Sequence, residues 1–291
     1  EKVYKMKFDI EIPTSREGMF VPVPFTGPKG IIQTIQFAEK LGYDTVWGTD
    51  FVNPSLKMGI PDSKPPNWYE LLITLAYAAA VTDHIRLGTG VTLLNYRDPV
   101  ILAKQAATLD CFSNGRFIMG LGIGGFRDEF ESIMPGQKGA HRGRMFEEKL
   151  EALQLLLSHN EKEVSYKGEY VEFEHVSLNP KPVQNPLPIY VPGRNPDALR
   201  RIAKLGLGYM IRASQARERI EALRPVLDEF NRDISDIDFI AEAQVSLANT
   251  HQAAVARYKD SRMGYRNKAN EPGNIEKLVA DNWIGTIEEV A

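Results

Sequence analysis

Ile85-Arg86-Leu87-Gly88-Thr89-Gly90-Val91-Thr92-Leu93, then Pro99 to Asp110, then Arg116-Phe117-Ile118-Met119-Gly120-Leu121-Gly122: these consecutive runs decide the fold of the 291-residue chain. The first and third are short, apolar and bounded by turn residues, as strands are. The middle run carries apolar residues at helical spacing, with Pro99 in its first turn, where a missing N–H costs nothing. Strand, helix and strand in direct succession call for a crossover between parallel strands.

The same alternation extends both ways. Upstream lie a strand at Met6–Ile12, a helix at Ile31–Leu41 stopped by Gly42, a strand at Thr45–Trp47 and a helix at Trp68–Val81. Downstream come a long amphipathic helix, Arg142–Ser158, and an alternating stretch, Lys162–Leu178, around a Lys167-Gly168 turn, which reads as an inserted hairpin. After the Pro-rich stretch Asn179–Pro188 the pattern resumes with strands at Pro188–Val191, Gly208–Ile211 and Phe239–Leu247. Helices follow them at Asp197–Leu205, Gln215–Asn231 and His251–Asp260. Seven βα units fit a (β/α)₈ barrel or a doubly wound sheet. The expectation is an α/β chain forming one TIM-type barrel domain over residues 1–291, hairpin included, with its last strand beyond the final residue.

Composition narrows the function classes. Hydrophobic residues make up 43% and charged residues 25%, enough for a sizeable core. Lys+Arg at 35 against Asp+Glu at 38 leaves a net charge of −3, which gives no electrostatic reason to bind nucleic acid or an anionic membrane. The longest apolar run, Leu71–Val81, falls short of the roughly 18 residues of a membrane span. A single cysteine, Cys111, excludes an internal disulfide framework and a multi-cysteine zinc site, and no His/Asp/Glu spacing suggests a metal. That cysteine usage suits a reducing cytoplasm, the expected location, and Glu1-Lys2-Val3-Tyr4-Lys5, leading straight into a strand-like run, does not read as a signal peptide.

In a barrel, function sits where strands end and βα loops begin. Gly120-Leu121-Gly122-Ile123-Gly124-Gly125 matches G-x-G-x-x-G after a strand, but it is the fourth strand and no clear crossover helix follows. It reads either as backbone thinned for a flat ligand or as tight packing. Gly88 and Gly90 within a strand mark either a bulge facing the barrel mouth or a plain bend. In Pro192-Gly193-Arg194-Asn195-Pro196, Asn195 is a good N-cap and Pro196 a good first helical residue; free N–H groups plus Arg194 suit a phosphate, or the segment is an ordinary capped helix. Asp50, ending the second strand, reads as functional or as a loop cap. Of the histidines, His141 is the one placed to reach the mouth. Phe20, Phe25, Trp68 and Tyr96 suggest either an aromatic-lined pocket or loop packing.

Taken together, several segments resemble the bacterial luciferase-like superfamily of flavin- and deazaflavin-dependent oxidoreductases, most closely its coenzyme F420-dependent branch. They are Phe37–Trp47, Ile85–Thr92, Arg97–Asp110, Ser113–Glu129, Pro180–Gly193 and Gly285-Thr286-Ile287-Glu288-Glu289-Val290. The resemblance implies a (β/α)₈ barrel with an inserted hairpin and a cofactor, F420 or FMN, at its top. It implies that Thr89, Gly90 and Val91 form a bulge behind the ring, often with a non-prolyl cis peptide. It further implies that Gly122, Gly124 and Asp128 flank the ring and ribityl chain. Gly193, Arg194, Asn195 and Pro196 would hold the phosphate, and Asp50 would lie near the reactive edge. Two residues depart from the pattern: Phe51 stands where many relatives carry histidine, and Gly125 where some F420 sugar dehydrogenases carry a catalytic glutamate. The expected activity is F420 hydride transfer with a small organic substrate. Alternatives are an FMNH2-dependent monooxygenase using O2, served by a separate flavin reductase, and a non-catalytic phospholigand-binding barrel. Asp50 and His141 are the candidate catalytic residues, and a homodimer is the expected assembly.

Overall fold

The computed structural model describes residues 6–14, 27–53, 67–261 and 275–290. Among these, two compact units divide the chain, the first reaching to Val191 and the second beginning at Pro192.

In the first unit, β1 (Asp9–Glu11), β2 (Thr45–Gly48), β3 (Arg86–Thr89), β4 (Thr92–Leu93) and β5 (Phe117–Gly122) are separated by α1 (Pro28–Leu41), α2 (Leu71–Ala80) and α3 (Pro99–Phe112). Two further helices, α4 (Arg127–Ile133) and α5 (Arg142–Leu157), precede an antiparallel hairpin of β6 (Val164–Lys167) and β7 (Glu172–Val176), and β8 (Ile189–Pro192) closes the unit. The strands pair in parallel in the order β1-β2-β3-β5-β8, with β4 also on β5. Every residue of β2 and β5 is buried, as expected of parallel strands covered on both faces.

Side chains tie together the ends where the strands begin. Glu39 accepts the backbone N–H groups of Asp83, His84 and Ile85, at 2.7–3.0 Å. The Arg116 guanidinium donates to the carbonyls of Ala79, Thr82, Ile85 and Ser113. This end is built for stability, which leaves the opposite end for chemistry.

The second unit contains α6 (Pro196–Leu205), β9 (Gly208–Arg212), α7 (Ala216–Asp228) and β10 (Phe239–Glu242), with β9 and β10 parallel. Next come β11 (Val245–Leu247), α8 (His251–Asp260), α9 (Ile275–Ala280), β12 (Trp283–Gly285) and α10 (Ile287–Val290). Strands β11 and β12 pair in parallel over a small core of Ala254, Tyr258 and Ile284.

The hairpin lies where the sequence places it, with Tyr166 and Phe173 stacked across it. Several details differ from the sequence reading, among them a first strand confined to Asp9–Glu11 and two short helices, α9 and α10, that it did not contain. The helix expected from Trp68 starts at Leu71, because the Glu70 carboxylate caps it by accepting the Ile73 N–H at 2.7 Å. The strand expected over Phe239–Leu247 breaks at Ala243-Gln244, its second half leaving β9 to pair with β12. Helix α4 and strand β12 were not anticipated; both are short, and neither shows a periodic apolar face. No helix among the described residues is long and apolar enough to cross a membrane.

Candidate active site

The bulge is visible in the register. Leu87 and Gly88 stand opposite Phe117 and Ile118, whereas Thr92 and Leu93 stand opposite Leu121 and Gly122. The segment Thr89-Gly90-Val91 therefore holds one residue more than its partner, which defines a β-bulge. The Gly90–Val91 peptide is cis. Where the ladder is interrupted, the fully buried Thr89 hydroxyl substitutes for it, donating to the Gly120 carbonyl at 2.7 Å and accepting the Gly120 N–H at 2.9 Å. The Gly90 N–H donates to the Gly48 carbonyl at 2.7 Å. Thr89 thus offers a ligand its backbone only, its side chain being locked onto β5.

Asp50 holds the far side of the bulge. Its side chain is 2% exposed; the carboxylate accepts the Leu93 N–H at 2.9 Å and grips Arg97 through both oxygens, at 2.6 and 3.0 Å. Arg97 also donates to Glu70 at 3.2 Å. Burial works against its charge, but Asp50 and then Glu70 outweigh that and raise its pKa above the usual guanidinium value. Asp50 therefore acts here as an anchor for the 3₁₀ turn Leu94–Tyr96. Lys149 serves the same turn from below: 7% exposed, it donates to the Asn95 and Arg97 carbonyls at 2.9 and 2.8 Å. Burial lowers its pKa to about 8.

The glycines after β5 do two different jobs. A Cβ on Gly122 would lie 2.5 Å from Val91 Cγ2, so that glycine lets the bulge close against β5. Gly124 has φ +84°, and a Cβ there would come within 2.8 Å of the Tyr96 hydroxyl. Gly125 faces open space. Asp128 sits half-buried in the first turn of α4, next to Glu129, which is 1% exposed. Tyr96 stacks on Phe130, with ring centroids 6.0 Å apart. Beyond Asp50, Phe51 packs against Trp68 at 4.8 Å. Phe20 and Phe25, the other expected aromatics, lie outside the described residues.

His141 is the N-cap of α5, its Nδ1 accepting the Arg144 N–H at 3.2 Å, with its own N–H directed to the Tyr170 hydroxyl at 3.4 Å. A ring engaged as a cap in this way has no free Nδ1 to offer a substrate.

The second unit carries the other expected cluster. Asn195 Oδ1 accepts the Ala198 N–H at 2.8 Å and Pro196 opens α6, as the sequence implies. Gly193 has φ +152°, and a Cβ there would collide with Ala198. Its carbonyl accepts the buried Tyr209 hydroxyl at 2.5 Å. Arg194 is exposed beside this turn.

Sequence reasoning passed over the polar residues behind the bulge. Arg97 and Lys149 are far apart in sequence from what they hold, and Glu129 looks like one more helix-surface charge. A signal was present in Lys149, a charged residue in an apolar stripe of α5 between Met145, Phe146, Leu150 and Leu153.

Residues 6–289 match the luciferase-like monooxygenase family. The chain belongs to that family. It is 29% identical to an F420-dependent glucose-6-phosphate dehydrogenase of Beutenbergia cavernae over 78% of this chain and 67% of that one. It is 28% identical to the oxygenase component of a flavin-dependent trigonelline monooxygenase of Acinetobacter baylyi, over 58% of this chain and 44% of that protein. Among solved structures, the monooxygenase RslO1 of Streptomyces bottropensis superposes with a TM-score of 0.77 at 25% identity, covering 98% of this chain and 86% of that one. The chain thus has the TIM-type α/β fold of luciferase-like oxidoreductases, a family with F420-dependent and flavin-dependent members. The matched stretches span about two thirds or less of these two curated relatives' own length.

Proposed function

We propose that the chain is an oxidoreductase that seats a flavin-type ring against the Thr89–Val91 bulge and exchanges hydride between coenzyme F420 and a small organic substrate. The observation that carries the reading is the bulge itself: an extra residue and a side-chain lock at Thr89, both at the strand ends where barrel chemistry occurs. Buried polar atoms beside it fit a polar ligand. Thr92 Oγ1 and Asn95 Oδ1 lack hydrogen-bond partners among the described residues, an arrangement that costs stability unless something else supplies the bond.

When bound, the cofactor supplies the redox chemistry, and the protein supplies orientation and a dry pocket. In this reading the Gly90–Val91 backbone backs the ring, with Gly122, Gly124 and Asp128 at its flank. Independently, the Gly193–Pro196 turn of the second unit offers a phosphate-type anion the Asp197 N–H in the first turn of α6 and the Arg194 guanidinium. The wall beyond Asp50 is aromatic, Phe51 on Trp68, and Gly125 has no side chain. That surface favours an apolar substrate over a phosphorylated sugar.

A second reading is supported by RslO1 and the trigonelline enzyme: reduced FMN, delivered by a separate reductase, reacting with oxygen. Titration with F420 and with FMN, followed by hydride-transfer and oxygen-uptake assays, separates the two. F420 binding with hydride transfer supports the first. FMN binding with oxygen uptake replaces it with the second, and failure to bind either leaves a non-catalytic phospholigand-binding barrel.

A further inference from the structure

Glu129 is the buried carboxyl that the site leaves without an ionic role. It is 1% exposed, and neither of its oxygens completes a hydrogen bond among the described residues. The Tyr96 hydroxyl faces it and is likewise buried without a partner of good geometry. The pair sits at the strand-end face. Tyr96 follows β4, Glu129 opens from the turn after β5, and the carboxyl lies near the backbone N–H groups of Val52 and Asn53, just past Asp50.

The charged groups around the pair decide its protonation. From the β2 end comes Asp50, a like charge already committed to Arg97. From α5 comes Arg142, whose guanidinium donates to the Gly124 carbonyl at 3.0 Å and makes no ion pair with Glu129. From the turn after β4 come Tyr96, a neutral hydroxyl, and Asn95 Oδ1, an acceptor without a donor. A carboxylate enclosed in this way gains no salt bridge to offset its lost hydration, whereas a neutral acid has an O–H to give. Burial, and secondarily Asp50, pushes the Glu129 carboxyl up against the smaller opposing effect of Tyr96 and the nearby N–H groups. Burial, and then Glu129, likewise raises the Tyr96 phenol.

We propose that Glu129 and Tyr96 form a buried proton-holding pair, with Glu129 carried as the neutral acid, and that this pair supplies the exchangeable proton in a site whose sequence lacks the histidine and glutamate of its relatives at Phe51 and Gly125. In the reducing direction the Tyr96 O–H bond breaks as its proton passes to the substrate oxygen that gains negative charge on hydride addition, and the Glu129 O–H bond breaks as its proton replaces it on the Tyr96 oxygen. Tyr96 ends unchanged and Glu129 ends as a carboxylate, recharged from solvent. Glu129 is thus a positioning and storage residue acting through Tyr96. The function of the pair in turnover rests on the oxidoreductase reading; its protonation does not.

The test begins without cofactor. Infrared spectra of the full chain are recorded across pH for wild type, Glu129→Gln and Tyr96→Phe. The expected result is a protonated-carboxyl band that persists well above the ordinary glutamate pKa of about 4.3, disappears in Glu129→Gln and shifts in Tyr96→Phe. A wild-type spectrum without such a band above that range, or a band unchanged in both variants, overturns the proposal. Should Glu129→Gln fail to fold, the Tyr96→Phe shift decides by itself. With whichever cofactor binds, Glu129→Gln is expected to lower kcat about 100-fold and to move the pH profile while cofactor affinity stays unchanged. An unshifted pH profile overturns the role in turnover. Absence of binding by any cofactor defeats the oxidoreductase reading and leaves the infrared result standing separately.

Discussion

Asp50 and Arg97 close a two-oxygen ion pair, at 2.6 and 3.0 Å, across the far side of the bulge, with side chains only 2% and 16% exposed. The Leu93 N–H on the same carboxylate ties that pair to the strand just after the cis peptide. The sequence alone leaves Asp50 between a reactive-edge role and a loop cap; its partners give it a third, holding the shape of the bulge proposed as the ring seat.

Asp50→Asn tests that role. Breaking one side of a buried pair typically costs about 3–5 kcal/mol, and Glu70, which also holds Arg97, retains part of it. The variant is expected to lose about 3 kcal/mol in denaturant unfolding, and cofactor affinity is expected to fall together with turnover. Full stability and affinity with collapsed turnover would move Asp50 from the frame to the chemistry.

The glycines give a paired experiment. Gly122→Ala places a methyl 2.5 Å from Val91 Cγ2, so the bulge must shift. Overpacking of this kind costs about 1–3 kcal/mol, and here the displaced atoms back the proposed ring seat. Gly125→Ala meets nothing within 4 Å and is expected to be silent. Cofactor titration of both variants should show weakening in the first and wild-type binding in the second. Equal behaviour would mean that the bulge does not shape the seat.

Local signals carried much of this in the sequence. Pro99, Asn195-Pro196, the Gly88/Gly90 pair and the Lys167-Gly168 turn each act over a few residues, so two helix starts and the hairpin could be read directly, and the bulge as one of two readings. The pairings Asp50–Arg97, Lys149–Asn95 and Tyr96–Glu129 join residues brought together only by the closing sheet. Nothing in local spacing distinguishes Glu129 from the half-buried Glu131 two positions on, which pairs with Arg127. His141 has a role that its loop position did not announce: its Nδ1 caps the helix that follows.

Lys149 gives the site a dependence on alkaline pH. Its pKa falls to about 8 on folding, from an ordinary value of about 10.4. Between those values the unfolded chain binds more protons than the folded one, so this residue makes stability rise with pH across that window. Its amine can still donate to the Asn95 and Arg97 carbonyls when neutral. Wild type is therefore expected to gain stability relative to Lys149→Met between about pH 7.5 and about pH 9.5, in paired urea titrations. A constant difference would show that the buried amine does not titrate there.

The proposed phosphate site in the second unit allows capping to be separated from binding. Asn195→Ala removes the acceptor of the Ala198 N–H and should cost about 1 kcal/mol of stability. Arg194 is exposed, and no hydrogen bond or ion pair ties its side chain to the fold among the described residues, so Arg194→Ala should leave stability unchanged. If Arg194 holds a phosphate, its removal deletes a charge-assisted contact worth about 1.5–3 kcal/mol, a loss of roughly 10- to 150-fold in affinity. The loss should shrink for riboflavin or a dephosphorylated deazaflavin, which never made the contact, and it should weaken as salt is added. Calorimetric titration of both ligand forms against both variants reads the two effects independently. Equal weakening of phosphorylated and dephosphorylated ligands by Arg194→Ala would assign the residue to packing. Unchanged binding of both would place the phosphate elsewhere and leave Asn195 and Pro196 with the capped helix alone.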